Sequence, residues 1–272
     1  MTDDIVILEK DETGQIATLW LNRTEKLNAI NYAMFNKLSE HTDTLSQDTE
    51  VRVVLLKGKG PHFSSGIDLN TLSGQDPEAP KFKILGTSLR YLITGLMQPI
   101  YQKLSLLEIP IIAIIDGYCF GAGFELTLVA DFRFSTESAI FQMVESRLGV
   151  IPDLGGTTRL CRLTNPSFAK DIVLSGRRVS AEEGYRMGFL NDIASNIMEV
   201  EKKVAYLAEE LIKSGPLAVG MGKRLVDAVY GVSEADGLIR EGLVNSALLT
   251  SKDFTRGVSS FFTKKPPKWT GK

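Results

Sequence analysis

The chain has 272 residues, of which 43% are hydrophobic and 24% charged, as expected for a globular protein with one large domain or a large domain and a small appendage. Its 31 Lys and Arg against 33 Asp and Glu give a formal charge of −2, which offers no positive surplus for nucleic acid. No apolar run approaches the roughly 20 residues that span a membrane, and Cys119 and Cys161 are too few for a disulfide framework, so we expect a cytoplasmic protein without nucleic-acid or membrane partners.

Short apolar segments alternate with helical patterns in the first half of the chain. The predicted strands are Ile16 to Leu21, Val51 to Leu56, Ile111 to Ile115, Phe132 to Phe134 and Ile140 to Val144. The predicted helices between them are Ala33 to Ser46 and Ile84 to Leu106, the second broken near Pro99. Strands that are apolar on both faces and joined by helical crossovers predict an α/β fold.

Helical patterns dominate from about Asn165 onward. A capping box at Ser180 to Glu183 begins one helix, and Gly188 ends it. The further helices predicted from apolar spacing are Ile197 to Ile212, Glu234 to Leu249 and Asp253 to Phe262.

Two glycine-containing turns follow predicted strands. One spans His62 to Leu69, and the other spans Asp116 to Glu125 and leads into an apolar helix, Leu126 to Ala130. A strand-to-helix turn presents free N–H groups with the helix dipole behind them, so it can stabilise an anion. Two such turns could converge on one oxygen as an oxyanion hole, although glycine turns after strands are also common without such a site.

Other glycine and histidine motifs are incomplete. Gly121-Ala-Gly-Phe-Glu-Leu126 lacks the third glycine of a dinucleotide fingerprint, and no stretch matches a P-loop or a Gly-x-Ser-x-Gly elbow. His41 and His62 do not form a convincing metal cluster with the cysteines, so no metal is expected. Carboxylates remain as the plausible proton-transfer groups.

Five motifs occur together in one order and spacing over roughly Ile7 to Lys268. They are Asn22-Arg-Thr-Glu-Lys-Leu-Asn-Ala29, Phe63-Ser-Ser-Gly-Ile-Asp-Leu69, Gly121-Ala-Gly-Phe-Glu-Leu126, Phe141-Gln-Met-Val-Glu-Ser-Arg-Leu-Gly-Val-Ile-Pro-Asp-Leu-Gly-Gly-Thr157, and Ser175-Gly-Arg-Arg-Val-Ser-Ala-Glu-Glu183 with Gly188-Phe-Leu-Asn191. In this respect the chain resembles the enoyl-CoA hydratase/isomerase (crotonase) family. The resemblance implies a crotonase-type ββα spiral core at residues 1–195 and a C-terminal helical region at 196–272 that assembles a trimer, or a hexamer of two trimers.

The same resemblance implies roles for individual residues. The backbone N–H groups of Ile67 and Ala122 are expected to hold the thioester carbonyl, Glu125 to handle water, and Glu145 to exchange the proton at C2. A thioester oxygen held by two donors becomes enolate-like, so C3 accepts water while C2 accepts a proton. The expected function is reversible hydration of a trans-2-enoyl-CoA in acyl-CoA metabolism, with coenzyme A as part of the substrate and no cofactor.

Asp153 departs from the commonest hydratases of the family, which have glycine there. An aspartate at this position resembles the dienoyl-CoA isomerases, in which it is a base, and also hydratases of the carnitinyl-CoA dehydratase type. Gly123-Phe-Glu-Leu126 followed by Ala130-Asp-Phe132 looks most like the latter group. Two interpretations stay open: Asp153 is a base, with isomerisation as the alternative function, or it caps a helix ahead of Gly155.

Coenzyme A contacts also follow from the resemblance. Backbone around Lys26 and Leu27 is expected to line the path of adenine and pantetheine, together with Ser65, Gly66, Ile67 and Asp68. Phe261 and Lys264 match positions that reach the ligand from a C-terminal helix, often that of a neighbouring subunit. Plain helix packing for Phe261 and a solvated tail lysine for Lys264 are the alternatives. The acyl pocket is expected on Ser73 to Met97.

Two functions outside this class would need other features. A non-catalytic or RNA-binding relative would need a lysine-rich helix or loss of the glutamates, and neither is present. A serine peptidase, such as the related Clp protease, would need a Ser–His pair near the oxyanion turn, for which the chain offers His62 and the adjacent serines.

Overall fold

The computed structural model describes residues 4–80 and 86–272. The strands in these ranges are β1 (Val6–Lys10), β2 (Ile16–Leu21), β3 (Val53–Gly58), β4 (Ile111–Ile115), β5 (Tyr118–Phe120), β6 (Phe132–Thr136), β7 (Ile140–Gln142), β8 (Val179–Ser180) and β9 (Asp192–Ala194). The α-helices are α1 (Tyr32–Gln47), α2 (Leu69–Leu72), α3 (Gly86–Tyr91), α4 (Gln98–Ser105), α5 (Gly121–Thr127), α6 (Gly156–Leu163), α7 (Pro166–Ser175), α8 (Ala181–Met187), α9 (Ile197–Lys213), α10 (Pro216–Val229), α11 (Glu234–Leu248) and α12 (Lys252–Thr263). Short 3₁₀ turns at Thr24–Lys26 and Glu145–Leu148 and a π-helical segment at Leu92–Met97 complete the regular structure.

A six-stranded sheet forms the centre of the described part of the chain, in the order β1-β2-β3-β4-β6-β9. Strands β1 and β2 are antiparallel, and the other neighbouring pairs are parallel. Strands β5, β7 and β8 form a smaller sheet. Because β3 and β4 are parallel neighbours, the two glycine turns that follow them leave the sheet at the same edge.

The two faces of the large sheet pack against different layers. Along β4, Ile111, Ala113 and Ile115 belong to the main hydrophobic core, whereas Ile112 and Ile114 belong to a second core. Side chains of a strand alternate between its faces, so an all-apolar strand can supply both layers. The second core is completed by α9, through Val200, Val204 and Ala208.

The α/β class and most predicted elements are confirmed. Strands β2 and β4 have the predicted bounds, and α8 has the capping box at Ser180 and a left-handed Gly188 after its end. Pro99 lies in the first turn of α4, directly after the π-helical segment, where proline is tolerated. The predicted start of that helix at Ile84 lies outside the described residues.

Two expectations about the elements are corrected. The apolar helix predicted at Leu126 to Ala130 begins five residues earlier, with Gly121, and ends at Thr127. Strands β1, β5, β8 and β9 were not predicted, and the last two interrupt the helical second half. Among residues 4–80 and 86–272, no helix has both the length and the apolar character needed to cross a bilayer.

Candidate active site

The turn after β3 is joined to β5 by backbone hydrogen bonds. Ser64 N–H donates to Tyr118 O at 2.9 Å, and Phe120 N–H donates to Ser64 O at 3.0 Å. Gly66 has φ +101°, and a Cβ at this position would lie 3.1 Å from the Phe120 carbonyl oxygen. Glycine is therefore required for this close approach, and the two glycine turns predicted from the sequence adjoin each other.

Each of the adjoining turns carries a backbone N–H that the described hydrogen bonds leave unused. Ile67 forms an isolated β-bridge with Ile30. The two hydrogen bonds of this bridge run from Ile30 N–H to Gly66 O and from Asp68 N–H to Ile30 O, so they do not use Ile67 N–H. Ala122 is the second residue of α5, so its N–H has no acceptor within the helix. Two donors beside a helix N-terminus can stabilise a negatively charged oxygen.

Glu125 lies on α5, and its side chain is almost fully buried, with 1% exposed. Its Oε1 accepts hydrogen bonds from Leu154 N–H at 2.9 Å and from Gly156 N–H at 2.7 Å. Burial raises the pKa of Glu125 to about 8, with repulsion from Glu145 and Asp153 adding to the rise, while the two N–H donors oppose it. These donors fix the carboxylate and favour its charged form.

Glu145 begins the 3₁₀ turn Glu145–Leu148 and faces the N-terminus of α5. A Cβ on Gly121 would lie 2.9 Å from Glu145 Oε1, so the glycine leaves room for this carboxyl. Glu145 Oε2 is buried and accepts no hydrogen bond from the described residues. Burial raises the pKa of Glu145 to about 7, with a further contribution from Asp153. A buried carboxyl with an unpaired oxygen and a raised pKa is typical of a functional site.

Asp153 lies half-buried in the turn before α6, and burial raises its pKa. The cap interpretation of Asp153 is wrong, because the N-cap of α6 is Gly155, at φ +107°, without a side-chain cap. An Asp153 cap would accept a hydrogen bond from Gly156 N–H, but this N–H donates to Glu125 instead. Asp153, Glu125 and Glu145 thus form one group of interacting carboxyls.

The structure brings the Lys26–Leu27 turn against the oxyanion turn. Ser65 N–H donates to Leu27 O at 2.9 Å, and Ser65 Oγ lies 3.4 Å from Lys26 O. Leu27 has a left-handed backbone with φ +51°, and both Lys26 and Leu27 are exposed. These two sequence-predicted segments therefore form one continuous surface next to Gly66.

Asp68 is held within this surface by its own partners. Its carboxylate accepts from Arg23 Nη1 at 2.6 Å and from Asn70 N–H at 2.8 Å, which caps α2. Burial opposes ionisation of Asp68, but these hydrogen bonds and the charge of Arg23 outweigh it and lower the pKa. The side chain therefore fixes the turn, and Arg23, within the first motif, is a supporting residue that sequence reasoning missed.

Phe261 and Lys264 stand apart from the carboxyls in the described part of this chain. Phe261 on α12 is 90% exposed, so the alternative of plain packing within its own chain is wrong. Lys264 directly follows α12 as its C-cap, with φ +55°, and is exposed. No hydrogen bond or ion pair among residues 4–80 and 86–272 joins either residue to the carboxyls or to the Lys26–Asp68 surface.

Two residues near Glu125, one buried and one half-buried, were not identified from the sequence. Tyr101 of α4 is fully buried and donates its hydroxyl to Ala122 O at 2.9 Å. Arg159 of α6 donates to Leu154 O at 2.9 Å, and its charge interacts with Glu125. Tyr101 has the pattern of a core aromatic. An arginine three residues after Gly156, within the first turn of a helix, is a signal that sequence analysis could have used.

The serine and histidine side chains beside the turn are occupied elsewhere. His62 Nδ1 accepts from Tyr118 N–H at 3.1 Å, and the two rings stack with centroids 4.2 Å apart. Ser64 Oγ donates to Asn28 O at 2.8 Å and accepts from Gly66 N–H at 3.1 Å. Within the described ranges these residues form no Ser–His pair, which removes the basis for a peptidase.

Known proteins resemble this chain over nearly its whole length. The sequence profile of the enoyl-CoA hydratase/isomerase family matches residues 11–272. Carnitinyl-CoA dehydratase of Salmonella typhi is 35% identical over 271 residues, covering 97% of this chain and 98% of that protein. Probable enoyl-CoA hydratase 2, mitochondrial, of Arabidopsis thaliana is 32% identical over 252 residues, covering 92% and 80% respectively. The crystal structure of enoyl-CoA hydratase from Bacillus anthracis superposes with a TM-score of 0.88 at 28% identity, covering 98% of this chain and 100% of that chain.

Proposed function

The chain belongs to the enoyl-CoA hydratase/isomerase family, and from that premise we propose that it is a hydro-lyase that adds water reversibly to a trans-2-enoyl-CoA. The observation that carries the proposal is the pairing of Glu125 with Glu145 at the N-terminus of α5. The pKa of each carboxyl is raised, to about 8 and about 7. Since like charges resist full ionisation, the pair retains a proton near neutrality, and hydration needs one acid beside one base.

In the proposed mechanism, the N–H groups of Ile67 and Ala122 hold the thioester oxygen as it becomes enolate-like. Glu125 is the base, because Leu154 and Gly156 N–H favour its charged form and bind only Oε1, which leaves Oε2 for water. Water deprotonated by Glu125 attacks C3, and Glu145 in its neutral form gives a proton to C2. The buried, unpaired Oε2 of Glu145 supports this assignment, which rests on geometry, since the pKa of Glu125, about 8, is the higher of the two in the substrate-free chain.

We further propose that coenzyme A lies along Lys26, Leu27 and the Ser65–Asp68 segment. The contact between these segments supports this path. No cofactor beyond the substrate's own coenzyme A is proposed.

The assembly we propose is a trimer, or a hexamer of two trimers, with residues 196–272 as the trimerisation region. Exposed apolar side chains on α10, α11 and α12 support a subunit contact there: Val226, Leu238, Ile239, Leu243, Phe261 and Phe262. Phe261 and Lys264 would then reach the coenzyme A of a neighbouring subunit.

Isomerisation with Asp153 as base is the second candidate. It is favoured by two observations: the Asp153 carboxyl does not cap α6, and burial raises its pKa. Assays with crotonyl-, octenoyl-, 3,5-dienoyl- and crotonobetainyl-CoA would distinguish hydration, isomerisation and the chemistry named for the carnitinyl-CoA dehydratase relative.

Hydration should require both glutamates. We expect Glu125→Gln and Glu145→Gln each to lower turnover on the order of 10²-fold or more, because each removes a general acid or base. Glu137→Gln, the same change at an exposed glutamate, is the matched control and should retain full activity. A variant at either site that hydrates crotonyl-CoA at the wild-type rate would remove that glutamate from the mechanism.

A further inference from the structure

The turn that supports Glu125, at residues 152–156, is itself held by side chains that donate to its carbonyl oxygens. Its N–H groups at Leu154 and Gly156 donate to Glu125 Oε1. Thr157 Oγ1 donates to Pro152 O at 3.3 Å, Gln98 Nε2 donates to Asp153 O, and Arg159 Nη1 donates to Leu154 O at 2.9 Å. Gln98 thus holds the peptide that carries Leu154 N–H, and Arg159 holds the Leu154–Gly155 peptide that lies between the two donors.

The Arg159 side chain packs against the backbone of this turn. A Cβ at Gly155 would lie 2.0 Å from Arg159 Nη1 and 2.9 Å from Cζ, so the guanidinium lies directly against the Gly155 backbone. Burial lowers the pKa of Arg159, and interaction with Glu125 opposes this effect. The guanidinium and the Glu125 carboxylate thus approach two neighbouring residues of the turn, Gly155 and Gly156, and their opposite charges offset part of the cost of burying the guanidinium.

The titratable groups around Glu125 come from four elements. Glu145 and Asp153 disfavour a negative charge on Glu125, Tyr101 stays neutral because burial raises its pKa, and Arg159 favours the charge. The other charged groups that act on Arg159 are Arg162 and Asp227. Among the charges that act on the pKa of Arg159, Glu125 has the largest effect.

We propose that Arg159 is a positioning residue for Glu125, which it serves by fixing the Leu154–Gly156 turn and by placing a positive charge beside the carboxylate. This proposal rests on the proposed hydration for its kinetic consequences. Its electrostatic consequence is a change in the pKa of Glu125, which can be measured without substrate.

The first test is a ¹³C NMR titration of glutamate side chains in the substrate-free protein, with the Glu125 signal assigned by its loss in E125Q. In Arg159→Gln the titration midpoint of Glu125 should rise by roughly one pH unit, because a nearby positive charge is lost. Arg159→Lys should keep the midpoint, since it keeps the charge. Arg162→Gln, the same change at an exposed arginine of the same helix, should leave it unchanged. A folded Arg159→Gln protein with the wild-type midpoint would overturn the proposal.

The second test is kinetic and separates Arg159 from general stability. Arg159→Gln should lower kcat for hydration on the order of 10-fold or more with little change in KM, and should move the acid limb of the pH profile upward. In an E125Q background the same change should cause no further loss, because Arg159 acts through Glu125. Additive losses in that double variant would overturn the proposal.

The two proposals fail in different ways. If the wild type hydrates no enoyl-CoA while Arg159→Gln still shifts the Glu125 midpoint, the function is wrong and the electrostatic role of Arg159 stands. Should Arg159→Gln not fold, Arg159→Lys decides: it cannot reproduce the planar fork, so we expect a lowered kcat with a wild-type midpoint. An Arg159→Lys protein with wild-type kcat would overturn the positioning role.

Discussion

Glu125 shows how a single buried residue links function to stability. In the unfolded chain a glutamate ionises near pH 4.3, but in the folded chain burial raises the pKa of Glu125 to about 8. Between these values the unfolded state loses its proton and the folded state keeps it. The raised pKa therefore makes the folded state more stable at low pH than at high pH. This contribution is lost as pH rises through the folded pKa.

Glu125→Gln should consequently stabilise the protein at alkaline pH. At pH 4 the variant and the wild type should unfold with similar free energies, because the wild-type carboxyl is neutral in the folded state. At pH 9 the variant should be more stable, by about 1.4 kcal/mol for each unit by which the folded pKa exceeds the unfolded one. Urea unfolding at both pH values, with Glu137→Gln as control, measures the difference, and a pH-independent difference would contradict the raised pKa.

Asp153 is the residue that separates hydration from isomerisation. Asp153→Asn should retain most hydration, because Glu125 and Glu145 supply the base and the acid, and it should change stability little, because Gly155 rather than Asp153 caps α6. An amide cannot accept a proton, so any double-bond migration that uses Asp153 should disappear. The measurement is solvent deuterium exchange at C4 of an enoyl-CoA. Fast exchange in the wild type that vanishes in Asp153→Asn would favour the isomerase.

The elements differ in how far their sequence predicts them. Strands β2 and β4 were predicted with their observed bounds because burial makes them uniformly or nearly uniformly apolar. Strands β5 and β9 have three residues each, too few for a period, and pairing with distant strands alone defines them. This matters for the site, because β5 holds the oxyanion turn through its bonds with Ser64.

The sequence indicated candidate site residues but not the groups that hold them in place. Both glycine turns follow from local patterns, whereas the three carboxyls were identified through the family resemblance. The donors on Glu125 come from Leu154 and Gly156, 29 and 31 residues along the chain. Tyr101 could not be assigned because its partner is set by packing. Arg159 had a local signal, an arginine in the first turn of a helix, but its partners are also set by packing.

The N-terminus of α5 offers a test of the oxyanion hole. Proline is tolerated in the first turn of a helix, so Ala122→Pro should fold while deleting the N–H, and we expect turnover to fall on the order of 10²–10³-fold. Ala122→Gly keeps the N–H and should be nearly silent, with at most about 1 kcal/mol of stability lost from helix propensity. Crotonyl-CoA hydration and thermal unfolding check both. Normal turnover by a folded proline variant would exclude Ala122 N–H as a donor.

On the scale of the whole molecule, the C-terminal end combines a contact with its own chain and an exposed aromatic surface that we propose as a contact with a neighbouring subunit. Its last residues fold back on their own chain, with Thr270 and Gly271 N–H donating to buried Asp253, and Trp269 donating to Lys213 O. Phe261 and Phe262 instead point outward from α12 and are 90% and 83% exposed. Truncation after Ser260 would remove both kinds of contact and leave Asp253 without its backbone donors, so a point variant is the sharper test.

Phe261→Ser should therefore leave the folding of the single chain intact while affecting assembly or ligand affinity. The ring buries almost no surface in its own chain, and its loss should change unfolding of the monomer little, whereas a subunit or coenzyme A contact loses an aromatic anchor. We expect a lower oligomer mass in solution, or a higher KM for crotonyl-CoA with kcat retained. Tyr206→Ser, at a 69% exposed aromatic on α9, is the control and should alter neither. If Phe261→Ser also keeps the wild-type mass and KM, Phe261 is an ordinary surface residue and the proposed reach of α12 into a neighbouring site is wrong.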